Sequence, residues 1–284
     1  MIATADPAAL DRIASLKKSD RMPVLFVGHG SPMNAIGDNE YRRSWQALGA
    51  EFGSKMARPQ LILCISAHWL TEGWWLTGMA QPKTIHDFGG FPQELFDQQY
   101  PAPGDEAAAL AISHLVKQRS SAPLGLDMSA WGLDHGTWSV LKPMFPDADI
   151  PVIQLSMDYG RGPQDHYALA QQLKSLRNRG VLIVGSGNIV HNLSRMQRGA
   201  AGNEAFDWAL EFDQTIGGYL QQGNLAALQN FQKLGSLALM AHPTYEHYLP
   251  LLYAAGAVDS NEKMRFFNTT FQGGSISMRS VVWG

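Results

Sequence analysis

Three short apolar runs constrain the fold most, because each leads through small residues into a histidine. A short apolar run bounded by turn residues is typical of a buried strand, and glycine permits a sharp exit from it. Ligands of open α/β sheets bind at the carboxyl ends of the strands. We therefore expect these imidazoles to lie at one edge of a sheet. The runs are residues 24–27, 61–65 and 181–184, and the histidines that follow are His29, His68 and His191.

Strand-like and helix-like segments alternate through most of the chain. This pattern predicts an α/β fold, a single layered domain with a mostly central sheet flanked by helices. No linker or repeat divides residues 21–284, and residues 1–20 are predicted to be an N-terminal arm. Predicted strands cover residues 23–28, 60–66, 74–79, 123–128, 151–157 and 181–184, with 266–271 and 275–282 pairing as closing strands. Predicted helices follow Asn39, cover residues 105–118, follow the stretch 131–138 and end near Pro143, and cover 165–179, 203–221, 224–232 and 249–255.

Composition excludes several classes of partner. The net charge of −3 gives no basis for binding nucleic acid or an anionic membrane. No run of about 20 apolar residues predicts a membrane span, and the N-terminus lacks the apolar region of a signal peptide. The single cysteine, Cys64, lies within an apolar run and is predicted to pack in the core. These features favour the cytoplasm and leave the oligomeric state open.

Known short motifs do not account for the glycines, serines and histidines. The Gly185-Ser186-Gly187 segment lacks the third glycine of a dinucleotide fingerprint, no P-loop lysine follows Gly30, and Ser31 lacks a nucleophile elbow. No helical His-x-x-x-His pair is present either, so metal ligands would come from separate strands and loops. Neutral imidazole is the commonest metal ligand, which makes His29 and His68 a candidate pair.

Five motifs together resemble the DOPA-type extradiol ring-cleaving dioxygenases, which belong to the class III extradiol dioxygenase superfamily with the protocatechuate 4,5-dioxygenase catalytic subunit. The likeness runs from about residue 21 to the C-terminus and includes the loop of residues 85–92, so residues 21–284 are expected to form the catalytic domain. The motifs are Gly28-His29-Gly30-Ser31-Pro32, Ser66-Ala67-His68-Trp69, Asp134-His135-Gly136-Thr137-Trp138, Gly185-Ser186-Gly187-Asn188-Ile189-Val190-His191-Asn192 and Pro243-Thr244-Tyr245-Glu246-His247-Tyr248.

The resemblance implies a non-haem Fe(II) centre, in which Zn(II) is sometimes found instead. Carried over motif by motif, it implies that His29, His68 and His247 hold the metal. It implies that His191 is the acid/base or a fourth ligand, and that His135 contacts a substrate hydroxyl or O₂. Wider superfamily sites use two histidines and one carboxylate. Glu246 is therefore the second candidate for the third ligand, and the neighbouring His242 is the third.

The implied reaction inserts both atoms of O₂ into a catechol, a small-molecule substrate. Such a site needs few protein ligands, so that open metal positions remain. The aromatic residues Trp69, Trp138, Phe88 and Tyr248 are candidates for walls around the ring, although all four suit the core equally well. Two alternatives stay open at this point. They are a zinc hydrolase, because histidines alone do not choose the metal, and a non-enzymatic interaction protein on the same scaffold.

Overall fold

The computed structural model describes residues 12–118, 122–197, 199 and 204–284. Within these ranges the strands are β1 (Val24–Gly28), β2 (Leu61–Thr71), β3 (Trp75–Thr77), β4 (Gly125–Asp127), β5 (Val152–Asp158), β6 (Val181–Gly187), β7 (Met264–Phe267), β8 (Phe271–Gln272), β9 (Ile276–Ser277) and β10 (Ser280–Trp283). The helices are α1 (Arg12–Ser15), α2 (Glu40–Glu51), α3 (Gln93–Phe96), α4 (Glu106–Leu115), α5 (His135–Met144), α6 (Pro163–Gln172), α7 (Asp207–Gln221), α8 (Leu225–Gln229), α9 (Ser236–Ala241) and α10 (Leu249–Gly256).

Eight of the described strands form one sheet, in the order β4-β3-β5-β2-β6-β1-β10-β7. The four central strands β5, β2, β6 and β1 are parallel to one another. Strand β10 pairs antiparallel with β1 and with β7 at one side, and β3 pairs antiparallel with β5 at the other. The predicted α/β architecture with a central sheet is confirmed.

The three predicted histidine strands are β1, β6 and β2, which are adjacent in the sheet. Because they are parallel, their carboxyl ends lie at the same edge. One detail differs from the prediction. Strand β2 continues to Thr71, so His68 lies inside it, and the pairing with β5 shifts register between Ile65 and Leu70. A bulge of this kind re-aims a side chain without ending the strand.

Helices cover both faces of the sheet, so the inner strands are buried on both sides. In β1, Val24 and Phe26 pack in one core with α6, α7 and α10, whereas Leu25 and Val27 pack in the other with α2 and α5. This division follows from the two-residue alternation of side chains along a strand. Cys64 is fully buried in the second core, as predicted, and burial raises the pKa of its thiol to about 12.

The predicted closing strands form two separate pairs. Residues 266–271 and 275–282 pair with one another as predicted, but they do so in two separate stretches, β7 with β10 and β8 with β9. Backbone conformation explains the division, because Asn268 has a φ of 52° and Gly273 and Gly274 have φ values of 57° and 73°. Consecutive positive φ values end the extended chain and turn it sharply.

Three smaller expectations are also refined. The helix predicted over residues 165–179 changes at Leu173 into a 3-10 segment that reaches Arg179, and Gly180 ends it with a φ of 72°. The helix predicted from residue 203 starts at Asp207, and residue 203 lies outside the described residues. Most of the predicted N-terminal arm, residues 1–11, also lies outside them, and Arg12 of α1 pairs with Asp105 at 2.7 Å. None of the described helices has the length and apolar character needed to cross a membrane.

Candidate metal centre

Three imidazoles from three separate parts of the chain converge at the carboxyl edge of the sheet. His29 follows β1, His68 lies in β2, and His247 precedes α10. One ring nitrogen from each lies within 4.8 Å of those of the other two. The Nε2 atoms of His29 and His68 are 3.1 Å apart. The predicted gathering of histidines at one edge is therefore present in the fold.

Glycines on either side of His29 let its backbone pass between close neighbours. A Cβ on Gly28 would lie 2.7 Å from the carbonyl of Met278. Gly30 has a φ of 56°, and a Cβ there would lie 2.2 Å from Oε1 of Gln272. The amide of His29 donates to the carbonyl of Gly187 at 3.1 Å. Glycine is thus required on both sides of His29, because the backbone there lies too close to Met278 and Gln272 for a side chain.

The second nitrogen of His29 has a fixed partner. Its Nδ1 lies 3.0 Å from Oγ of Ser186, and that hydroxyl donates its own proton to the carbonyl of Gly136 at 2.5 Å. The hydroxyl must therefore accept from His29, so Nδ1 carries the ring hydrogen. The lone pair of Nε2 then faces the cluster, which is the tautomer that a metal ligand needs.

The tautomer of His247 is fixed in the same way, by the residue that precedes it in the sequence. Its Nδ1 lies 3.2 Å from Oε1 of Glu246, so the carboxylate accepts the ring hydrogen and Nε2 is left for the cluster. His242 is placed elsewhere. It is buried, it donates from Nε2 to the carbonyl of Ile189 at 2.6 Å, and it packs against Phe212. His242 is therefore not the third ligand, because it belongs to none of the groups of described side chains that could hold a metal ion.

Burial keeps the clustered imidazoles uncharged. Desolvation, followed by repulsion from neighbouring histidines, lowers the pKa of His29 and of His247 well below the usual value. The same two causes lower the pKa of His68 to about 3, although Asp87 opposes the shift. Neutral imidazoles with inward lone pairs are metal-ligating groups.

The spacing of the donor atoms fits one shared ion. Two nitrogens that each lie about 2.1 Å from an ion are about 3.0 to 3.4 Å apart, for angles of about 90° to 109° at the ion. The measured Nε2 separation for His29 and His68, 3.1 Å, falls in this range. Nδ1 of His29 faces Ser186, and Nδ1 of His68 lies 3.5 Å from Oδ2 of Asp87, so without an ion the two Nε2 lone pairs would face one another. The residues present therefore fit a metal ion.

Asp87 joins this cluster to His135, the first residue of α5. One carboxylate oxygen, Oδ2, lies 3.0 Å from Nδ1 of His135 and 3.5 Å from Nδ1 of His68. The other, Oδ1, accepts the backbone amide of His135 at 2.9 Å. Desolvation raises the pKa of Asp87, but the hydrogen bonds and charge of His135 outweigh it, so the net pKa lies below the usual value.

His191 lies against His247 with the two rings parallel. Their centroids are 3.5 Å apart and their planes differ by 5°. The ring nitrogen of His191 groups with His247 and Glu246 rather than with His29 and His68. Burial, then the nearby His242 and His135, lower its pKa to about 3. His191 is therefore a neutral imidazole beside the cluster.

A cavity of about 650 Å³ opens above these histidines. The loop that the sequence singled out walls it, with Phe88 and Phe91 in contact at a ring distance of 5.4 Å. His86 pins that loop by donating from Nε2 to the carbonyl of Gln98 at 2.9 Å. Leu193 and Met196 form an apolar part of the lining. The cavity thus combines an imidazole-lined end with apolar walls, which suits an aromatic ring.

Three of the four predicted wall residues, Trp69, Trp138 and Tyr248, do not line this cavity. Trp69 is buried and stacks on Trp131 at 5.8 Å, because alternation along β2 turns it away from the face that His68 occupies. Tyr248 is fully buried, packs on Phe231 at 4.0 Å and donates its hydroxyl to a backbone carbonyl. The prediction that these two contact substrate is corrected to a core role. Trp138 is also buried, and it donates to the carbonyl of Ile85 at 2.8 Å, which supports the loop from below.

Three contributors to the site were not singled out as functional from the sequence. Ser186 accepts a hydrogen bond from His29, Asp87 lies beside the rings of His68 and His135, and Gln272 accepts the amide of Ser31 at 2.9 Å. Asp87 does lie in the loop of residues 85–92, and Ser186 lies in the Gly185-Ser186-Gly187 motif, both of which are part of the family resemblance. Gln272 has no local signal, because its partners lie about 240 residues earlier in the chain.

Comparisons with known proteins agree on one family. Residues 23–277 match the model of the catalytic LigB subunit of aromatic ring-opening dioxygenase. A protein of Escherichia coli K12 named 4,5-DOPA dioxygenase extradiol is 45% identical, over 95% of this chain and 97% of that protein. A Beta vulgaris protein of the same name is 35% identical, over 90% of this chain and 94% of that protein. The crystal structure of an uncharacterized E. coli K12 protein aligns with a TM-score of 0.77 at 39% identity, covering 93% of this chain and all of that one.

Proposed function

The chain belongs to the family of catalytic LigB subunits of aromatic ring-opening dioxygenases, and we propose that His29, His68 and His247 hold its metal. It is an extradiol ring-cleaving dioxygenase, and the hydrolase and interaction-protein alternatives have no support among the named relatives. The convergence of three neutral imidazoles below an aromatic-walled cavity is the observation that carries the site assignment. We propose residues 21–284 as the catalytic domain.

The proposed metal for activity is Fe(II), and Zn(II) fits the same three nitrogens without supporting the reaction. A bound Fe(II) supplies a redox path from the electron-rich catecholate to O₂ and open positions for the catechol oxygens, whereas Zn(II) has no redox chemistry. Three protein ligands leave such positions free. We propose the cytoplasm as the place of action, because reducing conditions there keep iron ferrous.

His135 and His191 are the proposed proton-handling groups. Oδ2 of Asp87 lies 3.0 Å from Nδ1 of His135 and favours a ring hydrogen there, which leaves Nε2 of His135 as an acceptor for a substrate hydroxyl. His191 is neutral, and a neutral imidazole takes a proton as the substrate ionises and returns it when the ring opens. Its grouping with Glu246 and His247, away from His29, favours this role over that of a fourth ligand.

The proposed substrate is a DOPA-like catechol with an anionic side chain. The named bacterial and plant relatives are 4,5-DOPA dioxygenases. Beside the catalytic cavity lies a second one of about 550 Å³, and Met196 lines both. Among the described residues that line the two cavities, Arg195 is the one lysine or arginine. A carboxylate on the catechol side chain would find its cation there.

Protein loaded with Fe(II) under anaerobic conditions should consume O₂ when it is given L-DOPA, and should form a yellow ring-opened semialdehyde. With ¹⁸O₂, both label atoms should appear in the product. The Zn(II)-loaded protein should do neither, because zinc cannot move an electron to O₂. A catechol without a carboxylate serves as the comparison substrate and should show a higher KM. Full iron occupancy without O₂ uptake for any catechol tested would refute the proposed function.

A further inference from the structure

Asp87 is the one carboxylate in the described site that contacts both a proposed metal ligand and a proposed substrate-binding group. Its Oδ2 lies 3.5 Å from Nδ1 of His68 and 3.0 Å from Nδ1 of His135. Its Oδ1 accepts the backbone amide of His135 at 2.9 Å. The two imidazole rings lie with centroids 3.9 Å apart. All three groups therefore form one contiguous contact.

An ionised carboxylate accepts hydrogen bonds and donates none, so it selects the tautomer of any imidazole that it contacts. The carboxylate charge therefore favours a ring hydrogen on the Nδ1 atom of both imidazoles that face it, at 3.5 Å for His68 and 3.0 Å for His135. In His68 this leaves the Nε2 lone pair toward the Nε2 of His29, 3.1 Å away. In His135 it leaves the Nε2 lone pair as an acceptor. Imidazoles orient themselves in metal sites through partners of this kind.

The other two proposed ligands have partners of their own. Ser186 accepts from His29, and Glu246 accepts from His247. Among the described residues, neither partner makes a hydrogen bond to a second imidazole of the site, although a carboxylate oxygen of Glu246 lies within 4.8 Å of a ring nitrogen of His191. Asp87 differs because its carboxylate is shared, and because it stands next to Phe88, which walls the cavity. The position of the loop and the orientation of two imidazoles therefore depend on the same residue.

We propose that Asp87 is a positioning residue that fixes the Nδ1-protonated tautomer of both His68 and His135, and so prepares metal binding and substrate hydroxyl binding together. The inference rests on the proposed function for the roles of the two histidines. It goes beyond that function because it makes one carboxylate responsible for the orientation of both histidines. It predicts that the two roles fail together when the carboxylate is lost.

The test compares the wild-type protein with Asp87→Asn. Asparagine keeps the shape, but its amide presents a donor to at least one Nδ1, which forces that ring hydrogen to Nε2. Histidine tautomers are read by ¹⁵N NMR on the Zn(II)-loaded, ¹⁵N-histidine-labelled protein, and metal affinity is read by competition with a chelating dye. We expect a change of tautomer at His135 and a 10- to 100-fold loss of zinc affinity. Asp97→Asn, which removes an exposed carboxylate from the same part of the chain, should change neither.

Two further measurements keep the proposal falsifiable if the asparagine variant folds poorly. The wild-type protein itself must show His135 protonated at Nδ1, and protonation at Nε2 would overturn the proposal. Asp87→Glu retains a carboxylate and should recover the Nδ1 tautomer and part of the zinc affinity. Unchanged tautomers together with zinc affinity within twofold of wild type in Asp87→Asn would also overturn it. None of these readouts uses turnover, so failure of the ring-opening reaction remains a separate result.

Discussion

His29→Ala and His68→Ala should each lose bound metal and, with it, all measurable ring opening. Each change removes one of three ligand nitrogens, and replacing a residue that merely supports a ligand already costs about 10- to 100-fold in metal affinity. We therefore expect losses above about 100-fold for the ligands themselves. Metal content after dialysis against a defined free-metal buffer, measured by mass spectrometry, gives the result directly.

His114→Ala is the matched control, since it removes a partly exposed histidine from α4, away from the cluster. It should retain full metal occupancy. The third ligand is tested in the same way. His247→Gln should lose the metal, whereas Glu246→Gln should lower metal affinity by only about 10- to 100-fold, as expected for a residue that supports a ligand. Full metal occupancy in His29→Ala or in His68→Ala would contradict a metal site that the two histidines share.

His191→Ala and His135→Ala should keep the fold and the metal but lose turnover. Proton transfer by a positioned side chain contributes about 10² to 10⁴ in rate, so kcat should fall by that factor in His191→Ala. The proposed role of His135 is to accept a hydrogen bond from the substrate hydroxyl, so its replacement should also raise KM. Rates and metal content are to be measured on the same samples, with circular dichroism to verify folding.

Metal content separates the two roles left for His191. A fourth ligand would lose metal on replacement, whereas an acid/base beside the cluster would keep it. The parallel stacking on His247, at 3.5 Å, leads us to expect retained metal with lost turnover. Turnover near the wild-type rate in both variants would contradict the assignment of proton handling to these histidines.

Local sequence signals account for the framework of the site. The apolar runs that lead to His29 and His191 predict β1 and β6, because a buried parallel strand needs an apolar residue at every position. Asn39 and Asp105 each accept a backbone amide at the start of the helices predicted there. These features depend on neighbours in sequence, which is why the sequence alone predicts them.

Contacts between distant segments account for what the sequence did not provide. Asp87 meets His135 across 48 residues, and nothing near either residue indicates the pairing. Tyr248 turns into the core because Phe231 packs on it, which no local pattern specifies. For Trp69 a signal did exist, because a strand that points His68 to the site must point the next residue away. Composition alone does not distinguish the two, because His68 and Trp69 both carry aromatic rings although they point to opposite faces of the strand.

Anomalous diffraction from crystals of the Zn(II)-loaded protein tests the central claim most directly. The described residues offer three groups able to hold an ion, which are His29 with His68 and His247, His68 with Asp87 and His135, and His191 with Glu246 and His247. We expect a single peak about 2.1 Å from the Nε2 atoms of the first group. A peak bound by Asp87 and His135, or by His191 and Glu246, would contradict the three-histidine centre.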